Sequence, residues 1–151
     1  MNELLIRQIE SFIEEDMIAS LSNISACIMM NYDDLNWAGF YLVKNGELLL
    51  GPFQGKPACV HIPFDKGVCG KTYREKKTQR VDDVLRIQDH IACDSDSRSE
   101  LCVPILINEE CVAEIDLDSP SFSRFTEKEE KEMIQVAKLL SEAWIKYQWP
   151  N

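Results

Sequence analysis

Apolar residues recur every three to four positions over residues 3–21, where Leu5, Ile9, Phe12, Ile13 and Met17 share one face, and this spacing predicts an amphipathic helix. A second apolar stretch, at 25–30, predicts another helix. The period then falls to two. Residues 37–43 and 47–50 read as strands joined across Asn45-Gly46, a dipeptide suited to the positive φ angles of a tight hairpin turn. A third strand is expected at 58–62, closed by Pro63, and Gly67-Val-Cys-Gly70 opens a short helix reaching about Lys76. Residues 82–99 are polar and read as a long loop, a feature that in a compact domain usually carries function or mobility. Residues 101–107 and 112–117 predict a second hairpin across Asn108-Glu109-Glu110. The chain ends in a helix marked by a capping box, Thr126 with Glu129 three positions on. Its apolar stripe follows as Met133, Val136, Ala137, Leu140, Ala143, Trp144 and Tyr147. Two hairpins between terminal helices predict an α+β fold: a central antiparallel β-sheet with the terminal helices packed on one face. Neither a repeat nor a linker interrupts the pattern, so residues 1–151 are expected to be one domain.

Composition narrows the function. At 45% hydrophobic and 28% charged residues, 151 residues can bury one real core. The net charge of -10 argues against nucleic acid, whose binding needs clustered Lys and Arg to displace counterions. No apolar run approaches the roughly 20 residues of a membrane span. The N-terminal segment is acidic and amphipathic, without the apolar region of a signal peptide, so the expected compartment is the cytoplasm. There ordinary thiols stay reduced, and the six cysteines are not expected to form a disulfide scaffold.

Each cysteine is therefore weighed alone. Cys27 and Cys102 fall in apolar patterns and suit core filling; Cys111, at a hairpin corner, has no evident task. Cys59 follows a Gly/Pro-rich segment, Cys69 lies between Gly67 and Gly70 at a helix start, and Cys93 sits in the polar loop. Loop exposure favours a functional reading of Cys93, since reactive thiols need access. Asp94 and Asp96 would raise its pKa, whereas Arg98 and backbone amides would lower it. For Cys69, the helix dipole could depress the pKa, or the motif could be purely steric. Zinc could draw on Cys59, His61, Cys69, His90 and Cys93, yet no Cys-x-x-Cys knuckle is present, and structural zinc is not expected.

Glu114, Asp116 and Asp118 alternate along one strand and so share a face. The bland explanation is a solvated sheet face. The alternative is a ligand site on the side away from the helices, where acids would suit an ammonium group. Trp37 and Tyr41 also share a strand face, as core residues or as walls of a small pocket.

Several segments together resemble the free methionine-(R)-sulfoxide reductases, enzymes built on the GAF fold. They are Asn36-Trp-Ala-Gly-Phe-Tyr-Leu42, Leu50-Gly-Pro-Phe-Gln-Gly-Lys-Pro-Ala-Cys59, Ile62-Pro-Phe64, Gly67-Val-Cys-Gly70, His90-Ile-Ala-Cys-Asp94, Ser97-Arg-Ser-Glu100 and Ile115-Asp-Leu-Asp-Ser-Pro120. The resemblance covers about residues 36–125 and implies a thiol-dependent reductase of free L-methionine-(R)-sulfoxide without metal or bound cofactor. It further implies Cys93 as nucleophile, Cys59 as principal resolving cysteine and Cys69 as a further redox or pocket residue. Trp37, Tyr41, Glu100, Asp116 and Asp118 fall on the family's substrate-pocket positions, and thioredoxin is the implied reductant. Two features depart from the pattern: the Ala113-Glu114 pair, at positions that tend to be small or apolar, and the highly charged stretch 71–80. The residues suit the chemistry, because a sulfoxide needs both a thiolate to attack sulfur and an acid to protonate the departing oxygen. Analogy with the fold suggests a homodimer. The competing expectation is a ligand-binding GAF sensor domain, which would have no need of Cys93.

Overall fold

The two expected hairpins form the centre of a six-stranded antiparallel sheet in the computed structural model, which describes residues 2–151 apart from Gln88, His90 and Ala92. In chain order the strands are β1 (Trp37–Lys44), β2 (Glu47–Gly55), β3 (His61–Ile62), β4 (Gln79–Val81), β5 (Ser99–Ile107) and β6 (Glu110–Ser119). Across the sheet they run β3-β2-β1-β6-β5-β4, so the first hairpin lies beside the second through β1 and β6. The helices are α1 (Glu3–Phe12), α2 (Met17–Asn31), α3 (Gly67–Glu75) and α4 (Glu127–Lys146).

Period-two alternation decides which residues meet the helices. Phe40, Leu101, Val103, Ile105, Ile115 and Leu117 point to one face and are buried against Leu21, Ile24, Leu140 and Trp144. The terminal helices α1, α2 and α4 thus share that face, as expected. The other face carries Trp37, Tyr41 and Cys102, which join Val68 and Cys69 of α3 in a second, smaller cluster.

Local chemistry corrects three expectations. The single helix expected over 3–21 is two, because Asp16 accepts a hydrogen bond from the Ala19 amide at 2.9 Å and starts α2 afresh. Strand β3 keeps only two residues of the expected 58–62, although Leu50 still donates to the Val60 carbonyl at 2.9 Å. Strand β2 instead runs on through Pro52, which lacks an N–H to donate; it lies beyond the Leu48–Leu49 pairing with β3, on an open edge. The loop expected from residue 82 is preceded by β4, whose three residues are too short to show a period.

The capping box of α4 forms: the Thr126 side chain accepts from Lys128, and Glu129 accepts from the Thr126 amide at 2.7 Å. Thr126→Ala is expected to cost about 1 kcal/mol, read as a lower midpoint in urea unfolding with an unchanged slope. No described helix is long and apolar enough to cross a membrane.

Candidate active site

The site lies on the sheet face away from the terminal helices. Register places its groups in rows: Trp37 of β1 opposes Asp118 of β6, which in turn opposes Glu100 of β5; one pleat further, Gly39, Asp116 and Cys102 line up in the same way. Gly39 is required there, since a Cβ would sit 2.4 Å from the Phe53 Cβ on β2. Helix α3 and the segments around Pro57 and Cys93 roof this floor. The resulting cavity is lined by Trp37, Tyr41, Ile62, Cys69, Ile91, Cys93, Glu100, Asp116 and Asp118, among others.

Cys59 and Cys93 are joined by a disulfide, with Cα atoms 5.3 Å apart despite a sequence separation of 34. The segment bearing Cys59 is tied to the floor by the Tyr41 hydroxyl, which donates to the Cys59 carbonyl at 2.8 Å. The segment bearing Cys93 is tied down by Asn36, whose amide donates to Asp94 at 2.9 Å and to Ser97 at 3.0 Å. Asn36, Asp94 and Ser97 are positioning residues that the sequence reading did not single out as a set, because their partnership spans about sixty residues. The charges weighed around Cys93 are already engaged: Asp96 pairs with Lys56 at 2.6 Å, and the Arg98 guanidinium donates to the Ser95 and Ser97 carbonyls.

Gly67 opens α3 with φ of 66°, a conformation that strains any side chain, and so turns Cys69 into the cavity. The Cys69 thiol is not activated by the helix dipole. Its hydrogen bond with Cys102, burial and nearby acids push its pKa well above the ordinary thiol value. Its sulfur lies 3.7 Å from Glu100 Oε2.

The bland reading of the acidic row is overturned. Glu114 is fully buried and Asp116 is 4% exposed, because α3 and the roofing segments cover the face. Burial raises the pKa of Glu100, Asp116 and Asp118, and mutual repulsion adds to the effect for Glu100 and Asp118. Asp116 Oδ1, Asp118 Oδ1 and the Trp37 indole nitrogen are buried without hydrogen-bond partners among the described residues. Such groups call for a polar ligand. Trp37 stacks between Tyr41 and Phe53, with centroids at 5.8 and 5.2 Å, and makes an aromatic wall beside the acids.

The metal-ligand set weighed from the sequence is not assembled. Cys59 and Cys93 are bonded to each other, His61 is exposed beside Glu47, and His90 lies outside the described residues. Cys27 and Cys102 are buried, as expected of core cysteines, but Cys102 also touches Cys69 and Glu114. Cys111 is buried too, and burial pushes its thiol up to about 12. Among the described residues, the groupings compact enough to hold a metal ion are Cys69–Cys102–Asp116 and Glu100–Asp116–Asp118.

The GAF domain family matches residues 16–144. The free methionine-R-sulfoxide reductase of Escherichia coli is 43% identical over 123 residues, covering 82% of this chain and 74% of the relative. The chain belongs to the free methionine-R-sulfoxide reductase family of GAF-domain proteins. Solved structures of that family agree in shape. The fRMsr of Staphylococcus aureus in complex with substrate superposes with a TM-score of 0.88 at 45% identity, covering 93% of this chain and 94% of the other. The free methionine-R-sulfoxide reductase of Neisseria meningitidis, in complex with its substrate, gives 0.92 at 38% identity, covering 95% and 88%. The sheet order and the terminal helices described above are accordingly those of a GAF fold.

Proposed function

We propose that this chain is an oxidoreductase that reduces free L-methionine-(R)-sulfoxide to methionine, with residues 1–151 as one GAF-type catalytic domain. One observation carries the reading: a cysteine of a bonded pair, an aromatic wall and three clustered acids line a single cavity. The kinship with reductases of the same substrate supports it.

In this mechanism the Cys93 thiolate attacks the sulfoxide sulfur while a carboxyl group of the Glu100–Asp116–Asp118 cluster protonates the oxygen. Methionine departs and Cys93 holds the oxygen as a sulfenic acid. The Cys59 thiol then condenses with it, releasing water and forming the Cys59–Cys93 disulfide. A dithiol reductant of the thioredoxin class reopens that bond by exchange and leaves as its own disulfide. Cys69, facing the same cavity, is a second candidate to resolve the sulfenic acid. The ionised members of the acid cluster hold the substrate ammonium, backbone amides of the roofing segments hold its carboxylate, and Trp37 and Tyr41 cover the S-methyl group. The same reading carries a cytoplasmic setting, where the reductant operates, and a homodimeric assembly.

The direct test is methionine release from the separated R and S epimers of free methionine sulfoxide with dithiothreitol as reductant. Methionine is expected from the R epimer; its absence would sink the enzyme reading in favour of a ligand-binding sensor. Asp116→Asn, Asp118→Asn and Glu100→Gln keep shape but remove acidity. Each is expected to lower kcat/KM at least about tenfold, since general acid catalysis alone typically contributes 10²–10⁴-fold. Because burial holds these carboxyls above the usual carboxylate range, kcat/KM should fall as pH rises through their pKa values and the donor proton is lost. Near-normal activity in all three variants would contradict this assignment.

A further inference from the structure

Beside Cys69 and Asp116 lie two groups that the thiol chemistry above does not use. Cys102 of β5 and Glu114 of β6 are both fully buried, and neither lines the cavity. Cys102 Sγ lies 3.2 Å from Glu114 Oε1 and 3.7 Å from Cys69 Sγ. Asp116, opposite Cys102 in the sheet register, completes the group: ligating atoms of Cys69, Cys102 and Asp116 all fall within 4.8 Å of one another. Two oxygens of this cluster, Glu114 Oε2 and Asp116 Oδ1, are buried with no hydrogen-bond partner among the described residues. An acid carried into a protein interior with an oxygen unsatisfied is costly, and apolar side chains at positions 102 and 114 would incur no such cost.

We propose that Cys69, Cys102 and Asp116, with Glu114 holding Cys102 by its hydrogen bond, form a binding site for a thiophilic divalent cation of the Zn2+ type. The spacing fits a tetrahedron. With metal–sulfur bonds of about 2.3 Å, two thiolates on one tetrahedral ion stand about 3.8 Å apart, and a thiolate and a carboxylate oxygen about 3.5 Å. The observed 3.7 Å between the sulfurs meets the first of those edges, and Asp116 offers an oxygen within 4.8 Å of both. Two sulfurs and a carboxylate oxygen are ligand types that zinc accepts, with a fourth position left for water, and the thiolates disfavour Mg2+ and Ca2+.

A thiol must lose its proton to ligate, so affinity rises with pH. Cys69 and Asp116 also line the cavity and give the ion its way in. An ion held there occupies Asp116, so substrate and cation compete; that consequence rests on the proposed reductase reading, whereas the site itself does not.

The test uses the full chain with Cys59→Ser and Cys93→Ser, reduced by a phosphine, so that the redox pair cannot contribute ligands. Titration with Co2+ should give one ion per chain, with thiolate-to-cobalt charge-transfer absorption and the visible bands of a tetrahedral ion. Zn2+ should displace it. Adding Cys102→Ser or Glu114→Gln should weaken binding at least about tenfold, judged by the loss a mere supporting residue causes, and Cys102→Ser should also reduce the charge-transfer intensity. Circular dichroism and thermal unfolding of each variant establish that it is folded. Absence of a charge-transfer band, or affinity unchanged in folded Cys102→Ser and Glu114→Gln chains, overturns the site. Because none of these readouts is catalytic, failure here is separable from failure of the reductase reading.

Discussion

Replacing Cys93 by serine is expected to abolish methionine formation altogether, including the first turnover. A serine hydroxyl is far too weakly ionised to replace an attacking thiolate. Cys59→Ser should behave differently, because attack stays intact while the partner that captures the sulfenic acid is gone. That variant should release about one equivalent of methionine per chain without reductant, since one thiol reduces one sulfoxide. It should then stall with thioredoxin, which attacks a disulfide, yet turn over with a small thiol able to reach the sulfenic acid. Cys69 faces the same cavity as Cys93. If it resolves Cys93 in place of Cys59, partial thioredoxin turnover persists in Cys59→Ser and only the double change stalls. Peptide mapping of the oxidised wild-type chain should show Cys59 joined to Cys93. A full equivalent of methionine from Cys93→Ser would mean that the nucleophile lies elsewhere.

The second large effect concerns what the substrate must carry. A methionine sulfoxide blocked by N-acetyl and C-amide groups keeps the reacting sulfur but loses both charges. The acid cluster would then face an amide in a site where Asp116 is almost wholly shielded from water and two carboxylate oxygens lack partners. Leaving buried polar groups unpaired costs on the order of several kcal/mol, and sites built to satisfy a polar substrate group commonly reject its absence by 10⁴-fold or more. Blocked substrate should therefore show a kcat/KM at least about a thousandfold below that of the free amino acid. Comparable values for the two would dismantle the assignment of the acids to the ammonium group, while leaving the role of Cys93 untouched.

Local sequence specifies some elements of this chain and not others. The separation of Ile115 and Leu117 from Glu114, Asp116 and Asp118 was legible at once, because strand alternation is a local property of the backbone. So was the start of α4, since a capping box lies within four residues. The break between α1 and α2 was not. A helical stripe of apolar residues runs through both, and only the Asp16 side chain turning back onto the Ala19 amide ends one and starts the other. Strand β4 escaped notice because three residues cannot display a period, and its pairing with β5 is what makes it a strand.

The sequence by itself determined the α+β arrangement, the shared face of the acids, the shared face of Trp37 and Tyr41, and the family pattern that singles out Cys59, Cys69 and Cys93. These depend on spacing and residue type, which short-range sterics convert directly into geometry. Tertiary structure alone decided whether the acidic row meets water or protein. That outcome rests on α3 and two roofing segments drawn from elsewhere in the chain, and it turns an ordinary solvated face into a set of carboxyls held above their usual pKa. Tertiary structure likewise joined Cys59 to Cys93 across 34 positions. It also converted Cys102, by pattern a core filler, into a neighbour of Cys69 and Glu114. Contacts between residues so far apart in sequence leave no local trace, because only the packing of one element on another brings them within reach.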